Sequence, residues 1–350
     1  MALDALSADL MRFAAMLLGS LLVGTAPGQV HRVINERNYH TFSTEHPVLA
    51  RIAPGDRVIT KTVDSAGWDD QGIRRTVRHG NPLTGPFYIE GAEHGDALVV
   101  HIDTLRLNRT WGYTAYRIGP SALTPEYVEH ELYPNHYKPD VVLGGPANLL
   151  KGRADLLPWV IDLERQTVRL REPISQAARM EFPARPMLGC IGAPPLGEPP
   201  TSGPAGAYGG NMDYWEVREG ATVYLPVFHR GGYLLVGDGH ALQGHAEVVG
   251  SGVETSMDLA FTVGLIKQAR LTGVRLENRE YLISVGSAQG EPLNQAVRLA
   301  TTDMVRWLQQ EHRLEPWAAH QVIGVQAVYD IATMAGTVAL KIPKTALQPD

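Results

Sequence analysis

The stretch ATVYLPVFHRGGYLLV, residues 221–236, decides the fold class. Apolar and β-branched side chains run on both sides of Arg230-Gly231-Gly232, the pattern of two short strands joined in a hairpin. The same pattern continues outward. Residues 159–163 (WVIDL) and 167–171 (TVRLR) flank Glu164-Arg165-Gln166 as a second hairpin. Residues 56–63 (DRVITKTV) follow the turn Pro54-Gly55 and alternate like a half-buried strand, and residues 97–105 follow the turn-like 93–96. Short strands at this spacing predict a β-sandwich or barrel over 27–260 and not a series of βαβ units.

Composition agrees. Of 350 residues, 44% are hydrophobic and 19% charged, enough apolar material for a core and too little charge for a disordered chain. The 36 glycines and 24 prolines exceed ordinary usage of about 7% and 5% and carry no period, which fits many tight turns and excludes collagen. A net charge of −6 leaves no basic footprint for nucleic acid or an anionic membrane. The single cysteine, Cys190, can neither close an intrachain disulfide nor build a cysteine-rich zinc site. It lies in an apolar run and is expected to be a core thiol.

The two ends differ from the middle. Residues 13–26 (FAAMLLGSLLVGTA) are too short to span a bilayer but match the apolar part of a signal peptide. Asp4 and Asp9 precede it where positive charge is expected. Starting at Met11 gives a basic Met11-Arg12 instead, with Gly24-x-Ala26 at a cleavage site. Residues 1–26 are therefore expected to be removed on export to the periplasm or medium; the alternative is an N-terminal helix in a cytosolic protein. Residues 261–350 are expected to form an α/β portion packed on the sandwich, so that the whole is mainly β within an α+β plan. Its first helix is predicted over 291–312, with Ala296, Leu299, Ala300, Met304, Trp307 and Leu308 on one face and an Asp303–Arg306 pair. A second helix over 317–327 and a strand over 338–342 follow.

Polar chemistry collects in four places. The richest is 236–248 (VGDGHALQGHAEV), where Gly237, Gly239 and Gly244 allow sharp turns around Asp238, His240, Gln243, His245 and Glu247. Asp238 and His240 are candidate ligands of a divalent metal, and Glu247, expected to begin the next strand, a candidate general base. A glycine-rich turn satisfying its own backbone would read the same way. In 208–214 (YGGNMDY), Asn211 and Asp213 are two apart and would share one face of an extended segment, or form an Asx turn. Glu90 and Glu93 bracket a turn in 85–96, where two carboxylates could be tuned apart. The fourth, 185–195 (RPMLGCIGAPP), has small residues suited to close backbone approach. His40 could add a metal ligand or orient a substrate.

Taken together, these stretches, in wording and order, resemble the acetamidase/formamidase family: GPFYIEGAEHGDALVVHI at 85–102, RPMLGCIGAPP at 185–195 and GGNMDYWEVREGATVYLPVFHRGGYLLVGDGHALQGHAEVVGSGVET at 209–255. The resemblance spans about 35–345. It implies a jelly-roll-like sandwich, a homo-oligomer, and hydrolysis of a small carboxamide such as formamide or acetamide to carboxylate and ammonia by metal-assisted attack of water. It further implies a divalent metal, zinc or alternatively calcium, on Asp213, Asp238 and His240, with Glu247 as base and Asn211 or Gln243 polarising or orienting the amide. His245 departs from the family, where many members carry an acidic residue. Two other readings use the same loops: a non-catalytic sandwich that binds carbohydrate or amide ligands, and a hydrolase of larger amides or lactams whose pocket Tyr113, Tyr116 or Trp215 would enlarge or cap. Mass spectrometry of protein from its native host is expected to find an N-terminus near residue 27. An intact Met1 would refute the exported form.

Overall fold

The computed structural model describes residues 28–76, 78, 80–132, 156–171 and 175–347. The proposed signal segment, 1–26, lies outside the described residues. Two sheets form the body. The first has nine strands in the order Val30–Arg32, Arg57–Thr62, Met257–Ile266, Ala97–Leu107, Thr222–Pro226, Val274–Glu277, Tyr281–Ser287, Thr337–Pro343 and Val328–Thr333. The second is an eleven-stranded sheet. It runs Ala205–Gly206, Gly209–Asn211, Met187–Gly192, Leu234–His240, Glu254–Thr255, Trp111–Ala115, Leu156–Asp162, Thr167–Leu170 and Glu181–Pro183. Leu83–Ile89 also pairs with Leu234–His240, and Ala50–Ile52 with Leu83–Ile89.

The sheets face each other across one apolar core. Val58, Val100 and Phe261 from the first sheet join Leu188, Ile191 and Val236 from the second in one cluster of buried side chains. Phe87 and Phe261 meet edge to face between the sheets, ring centroids 5.3 Å apart. The mainly β, sandwich-like architecture is thus built from the alternation visible in the chain: Arg57–Thr62 buries every second side chain, Val58, Thr60 and Thr62.

The hairpin expected at 159–171 is present, with Asp162 opposite Thr167. The one expected at 221–236 is not. Thr222–Pro226 pairs with Ala97–Leu107 and Val274–Glu277 in the first sheet, whereas Leu234–His240 lies in the second. Residues 227–233 carry the chain from one sheet to the other. Gly231, Gly232 and Tyr233 all have positive φ there, and the span is long enough to cross the ~10 Å between packed sheets. Local turn residues reveal a change of direction but not which sheet receives the next strand.

The C-terminal helices are Leu293–Gln310 and Pro316–Gln326. The first buries Ala296, Ala300, Met304, Trp307 and Leu308 against the strands Tyr281–Ser287 and Thr337–Pro343. Leu299, expected on that face, is 43% exposed. Asp303 is buried and bonded to Arg275 Nε at 2.8 Å and to Ser284, not to Arg306. The proposed boundary at 260/261 falls inside the strand Met257–Ile266, and the strands after it continue the first sheet.

A buried ion pair ties a loop of the first half to the second sheet. Arg109 and Asp64 side chains are 1% and 0% exposed and meet at 2.5 Å, and the guanidinium also stacks on Trp111 and donates to its carbonyl. Asp64 Oδ1 in turn accepts from the backbone N–H of Ala66 and Trp68. Replacing Arg109 by methionine leaves that carboxylate buried without its partner, and is expected to cost about 3–5 kcal/mol. Denaturant unfolding checks this as a lower midpoint at unchanged slope.

Candidate active site

The second sheet carries an opening in its side-chain packing where Met187–Gly192 runs between Leu234–His240 and Gly209–Asn211. Leu188 lies opposite Gly239 and Cys190 opposite Gly237, so Gly189 faces Asp238. A Cβ on Gly189 would lie 2.4 Å from both Asp213 Oδ1 and Asp238 Oδ2. The absent side chain is what admits two carboxylates. Gly252 does the same for His240, whose ring atoms would be 2.5 Å from a Cβ there.

Four carboxylates surround one imidazole. Asp213, His240 and Glu247 bring one ligand atom each within 4.8 Å of one another, as do Asp238, His240 and Glu254. Asp213, Asp238, His240 and Glu254 are at most 4% exposed. Asp213, Asp238 and Glu247 have φ of 48°, 58° and 46°, the left-handed region that non-glycine residues rarely occupy. Asp238 adopts it inside a strand, flanked by Gly237 and Gly239 that carry the neighbouring pairing. Glu247 ends a single helical turn at 245–247 and does not begin a strand as the sequence had suggested. Its carboxyl lies within 4.8 Å of a carboxylate oxygen of Asp213.

Two carboxamides hold this cluster in place. Gln243 Oε1 accepts from His240 Nδ1 at 2.8 Å, while its Nε2 donates to the Asp213 carbonyl at 2.6 Å. With Nδ1 as the donor, Nε2 is the nitrogen turned to the carboxylates, 3.0 Å from Glu254 Oε1 and 3.5 Å from Asp238 Oδ2 but hydrogen-bonded to neither. Asn211 Nδ2 donates to Asp213 Oδ2 at 2.6 Å. Both side chains are therefore engaged in positioning Asp213 and His240.

The electrostatics follow from the crowding. Burial raises the Asp213 carboxyl well above the usual range, and the carboxylates of Glu247 and Asp238 add to it. Removal from water pushes Glu247 up to about 7 and Glu254 up to about 8, Asp238 adding to both and His240 opposing. For His240 burial favours the neutral ring, but Glu254 and Asp238 outweigh it and raise its pKa. Like charges out of water hold protons or recruit a cation. Asp213 Oδ1, Asp238 Oδ1, His240 Nε2 and Glu254 Oε2 are all buried without a hydrogen-bond partner. Such orphaned donors from three carboxylates and an imidazole fit a divalent cation.

A cavity of about 350 Å³ adjoins the cluster; Asn81, Asn211, Asp238, Glu247 and Glu254 line it, together with Ala66, Tyr113, Ala115 and Leu156. The remaining expected site residues lie elsewhere. His40 bonds the carbonyl of Gly80 through Nδ1 at 2.8 Å and Thr76 through Nε2, so it braces the loop behind the cavity wall. Glu90 is exposed and pairs with Arg51, whereas Glu93 pairs with Arg230. His245 is exposed and stacked on Trp215, ring centroids 3.7 Å apart. Cys190 is buried, as expected of a core thiol, but its Sγ lies 2.9 Å from Asn211 Oδ1. Burial, then the carboxylates of Asp238 and Asp213, raise its thiol well above the ordinary range, so it is no nucleophile. Sequence reasoning missed Glu254, Gly189 and Asn81. Glu254 closes the quoted stretch 209–255, but a Glu-Thr pair carries no local signal; its place comes from pairing opposite His240.

The model of the "Acetamidase/Formamidase family" matches residues 30–131 and 200–338, which include all four carboxylates and His240. A formamidase of Methylophilus methylotrophus is 28% identical over 279 residues, 69% of this chain and 65% of the formamidase, so the match spans less than two-thirds of that relative's length. The crystal structure of an acetamidase from Yersinia enterocolitica is similar at 26% identity and a TM-score of 0.73, over 96% of this chain and 99% of that one. A recombinant predicted acetamidase/formamidase from Thermoanaerobacter tengcongensis gives 26% identity and a TM-score of 0.71, over 91% and 97%.

Gly189→Ala tests the packing of the cluster. A methyl group 2.4 Å from two fixed carboxylate oxygens is expected to cost about 1–3 kcal/mol, read as a lower thermal midpoint. An unchanged midpoint would mean that neither carboxylate is held as described.

Proposed function

The chain belongs to the acetamidase/formamidase family, and from that premise we propose that it hydrolyses a small carboxamide to carboxylate and ammonia in the cavity beside His240. The observation that carries this reading is the convergence of orphaned buried donors from Asp213, Asp238, His240 and Glu254. These residues would hold a divalent cation, with Glu247 beside it. An imidazole among the ligands favours zinc over calcium, which prefers an all-oxygen shell. When bound, the cation supplies positive charge that polarises an amide carbonyl and makes water more acidic.

The rest is work for the chain's own side chains. Glu247, with a carboxyl near 7 before any cation is bound, accepts a proton from the attacking water and delivers it to the departing nitrogen. Gln243 fixes the tautomer of His240 so that Nε2 stays turned to the carboxylates. Asn211 and the Gln243 bond to the Asp213 carbonyl keep Asp213 in its left-handed conformation. Ala66, Ala115 and Leu156, the apolar part of the cavity lining, would receive the acyl group. At about 350 Å³ the cavity equals the share of about twelve waters, which favours an acyl group larger than acetyl as a second reading within the same chemistry.

Purified protein is expected to contain a divalent metal and to release ammonia from at least one member of a panel of formamide, acetamide, larger amides and lactams. Asp238→Ala and His240→Ala are each expected to lose metal and to lower turnover by more than about 10²-fold. Full metal content and full turnover in both variants would place the chemistry elsewhere, and silence across the whole panel would favour a binding module.

A further inference from the structure

Three carboxamide side chains border the buried cluster, and two of them are committed at the end that could accept a hydrogen bond. Gln243 Oε1 is taken by His240 and Asn211 Oδ1 by two donors, Asn81 Nδ2 at 2.8 Å and Cys190 Sγ at 2.9 Å. The orientation of Asn211 is set by its other end, since Asp213 Oδ2 requires a donor and receives Nδ2. That choice propagates. Asn211 Oδ1 faces Asn81, so Asn81 must present Nδ2 to it and turn its own Oδ1 away. Among the described residues nothing donates to Asn81 Oδ1, and Asn81 lines the cavity beside Asp238 and Glu254.

The acceptor is also held rigidly. Asn81 has φ 45°, a left-handed conformation that asparagine tolerates better than most residues, and its N–H donates to the Ser65 carbonyl at 3.2 Å. The preceding Gly80 carbonyl accepts from His40 Nδ1 and from Ser202 Oγ, each at 2.8 Å. This bracing explains the use of His40, which the cluster itself leaves out.

We infer that Asn81 is a specificity residue whose Oδ1 accepts an N–H of the substrate's primary carboxamide, selecting it over an ester with the same acyl group. The inference rests on the amide reading above and deepens it. An ester carbonyl can be polarised like an amide carbonyl, but it offers no N–H. A site built to hydrogen-bond that N–H leaves its acceptor unpaired against the ester and so rejects it. Asn211 remains the positioning residue for Asp213, and Asn81 the residue that reads the substrate.

The test uses the full chain, acetamide and methyl acetate, two carbonyl compounds of similar size of which the first alone carries N–H. Binding is followed by NMR titration and turnover by product release. Asn81→Gly keeps the left-handed backbone accessible; Asn81→Ser serves if that variant fails to fold. Wild type is expected to prefer acetamide by at least about tenfold, the worth of one hydrogen bond. The variant should lose about that factor for acetamide and leave methyl acetate unchanged. Equal weakening of both ligands would assign Asn81 a merely structural role through Asn211 and overturn the inference. So would an intact preference in the variant, or no preference or no binding in wild type. If wild type binds acetamide selectively yet releases no ammonia from any amide, the proposed hydrolysis fails while the assignment of Asn81 stands.

Discussion

Four carboxylates gathered around one imidazole and shielded from water repel one another, and the surrounding structure exists to hold them there. At an effective dielectric of about 20, two unit charges 4 Å apart interact by about 4 kcal/mol, comparable with a large fraction of a domain's net stability. Side-chain packing alone could not keep such groups together, because each would swing toward solvent. Backbone conformation does it instead. Asp213, Asp238 and Glu247 occupy left-handed φ values that aim their carboxyls inward, and Gly189 and Gly252 vacate the volume into which the oxygens and the ring fit. Strain of this kind persists only where neighbouring structure over-determines it.

That over-determination comes from both sheets. Met187–Gly192 is buried along its whole length and hydrogen-bonded on both sides, so Gly189 cannot shift to relieve crowding. Beneath the cluster, Asp330 on the edge strand of the first sheet takes Lys341 Nζ at 2.7 Å and the Tyr214 hydroxyl at 3.0 Å. Just past that edge strand, the Met334 N–H donates to the Ala246 carbonyl at 2.9 Å, next to Glu247. Residues next to Asp213 and Glu247 are thus anchored in a sheet other than the one that carries Asp238 and His240.

How much of this was legible in the sequence depended on range. Alternation in 56–63 and 97–105 announced strands because burial in a sandwich repeats every second residue. The helices over 293–310 and 316–326 showed through their spacing, although Leu299 ended up exposed. The glycine-rich motif and GGN-x-D drew attention to Asp213, Asp238, His240, Gln243 and Glu247 because unusual backbone needs unusual residues. What stayed hidden was long-range. The sheet that receives residues 234–240, the pairing that brings Glu254 opposite His240, and the 130-residue separation between Asn81 and Asn211 have no local signature. Glu90 and His40 attracted attention through local company alone, and the fold gave them surface pairing and loop bracing instead.

The one thiol of the chain gains an unplanned use from its position. Cys190 is fully buried, hydrogen-bonded to Asn211, which lines the cavity, and in the same strand as Gly189. A thiol reagent can reach it only when that strand and the cavity wall part, so the labelling rate reports how often they do. Anything that binds in the cavity and holds the wall closed should slow labelling in proportion to its occupancy. The molecule therefore carries its own single-site clock for the opening of its most crowded region, with no engineered probe and no competing cysteine.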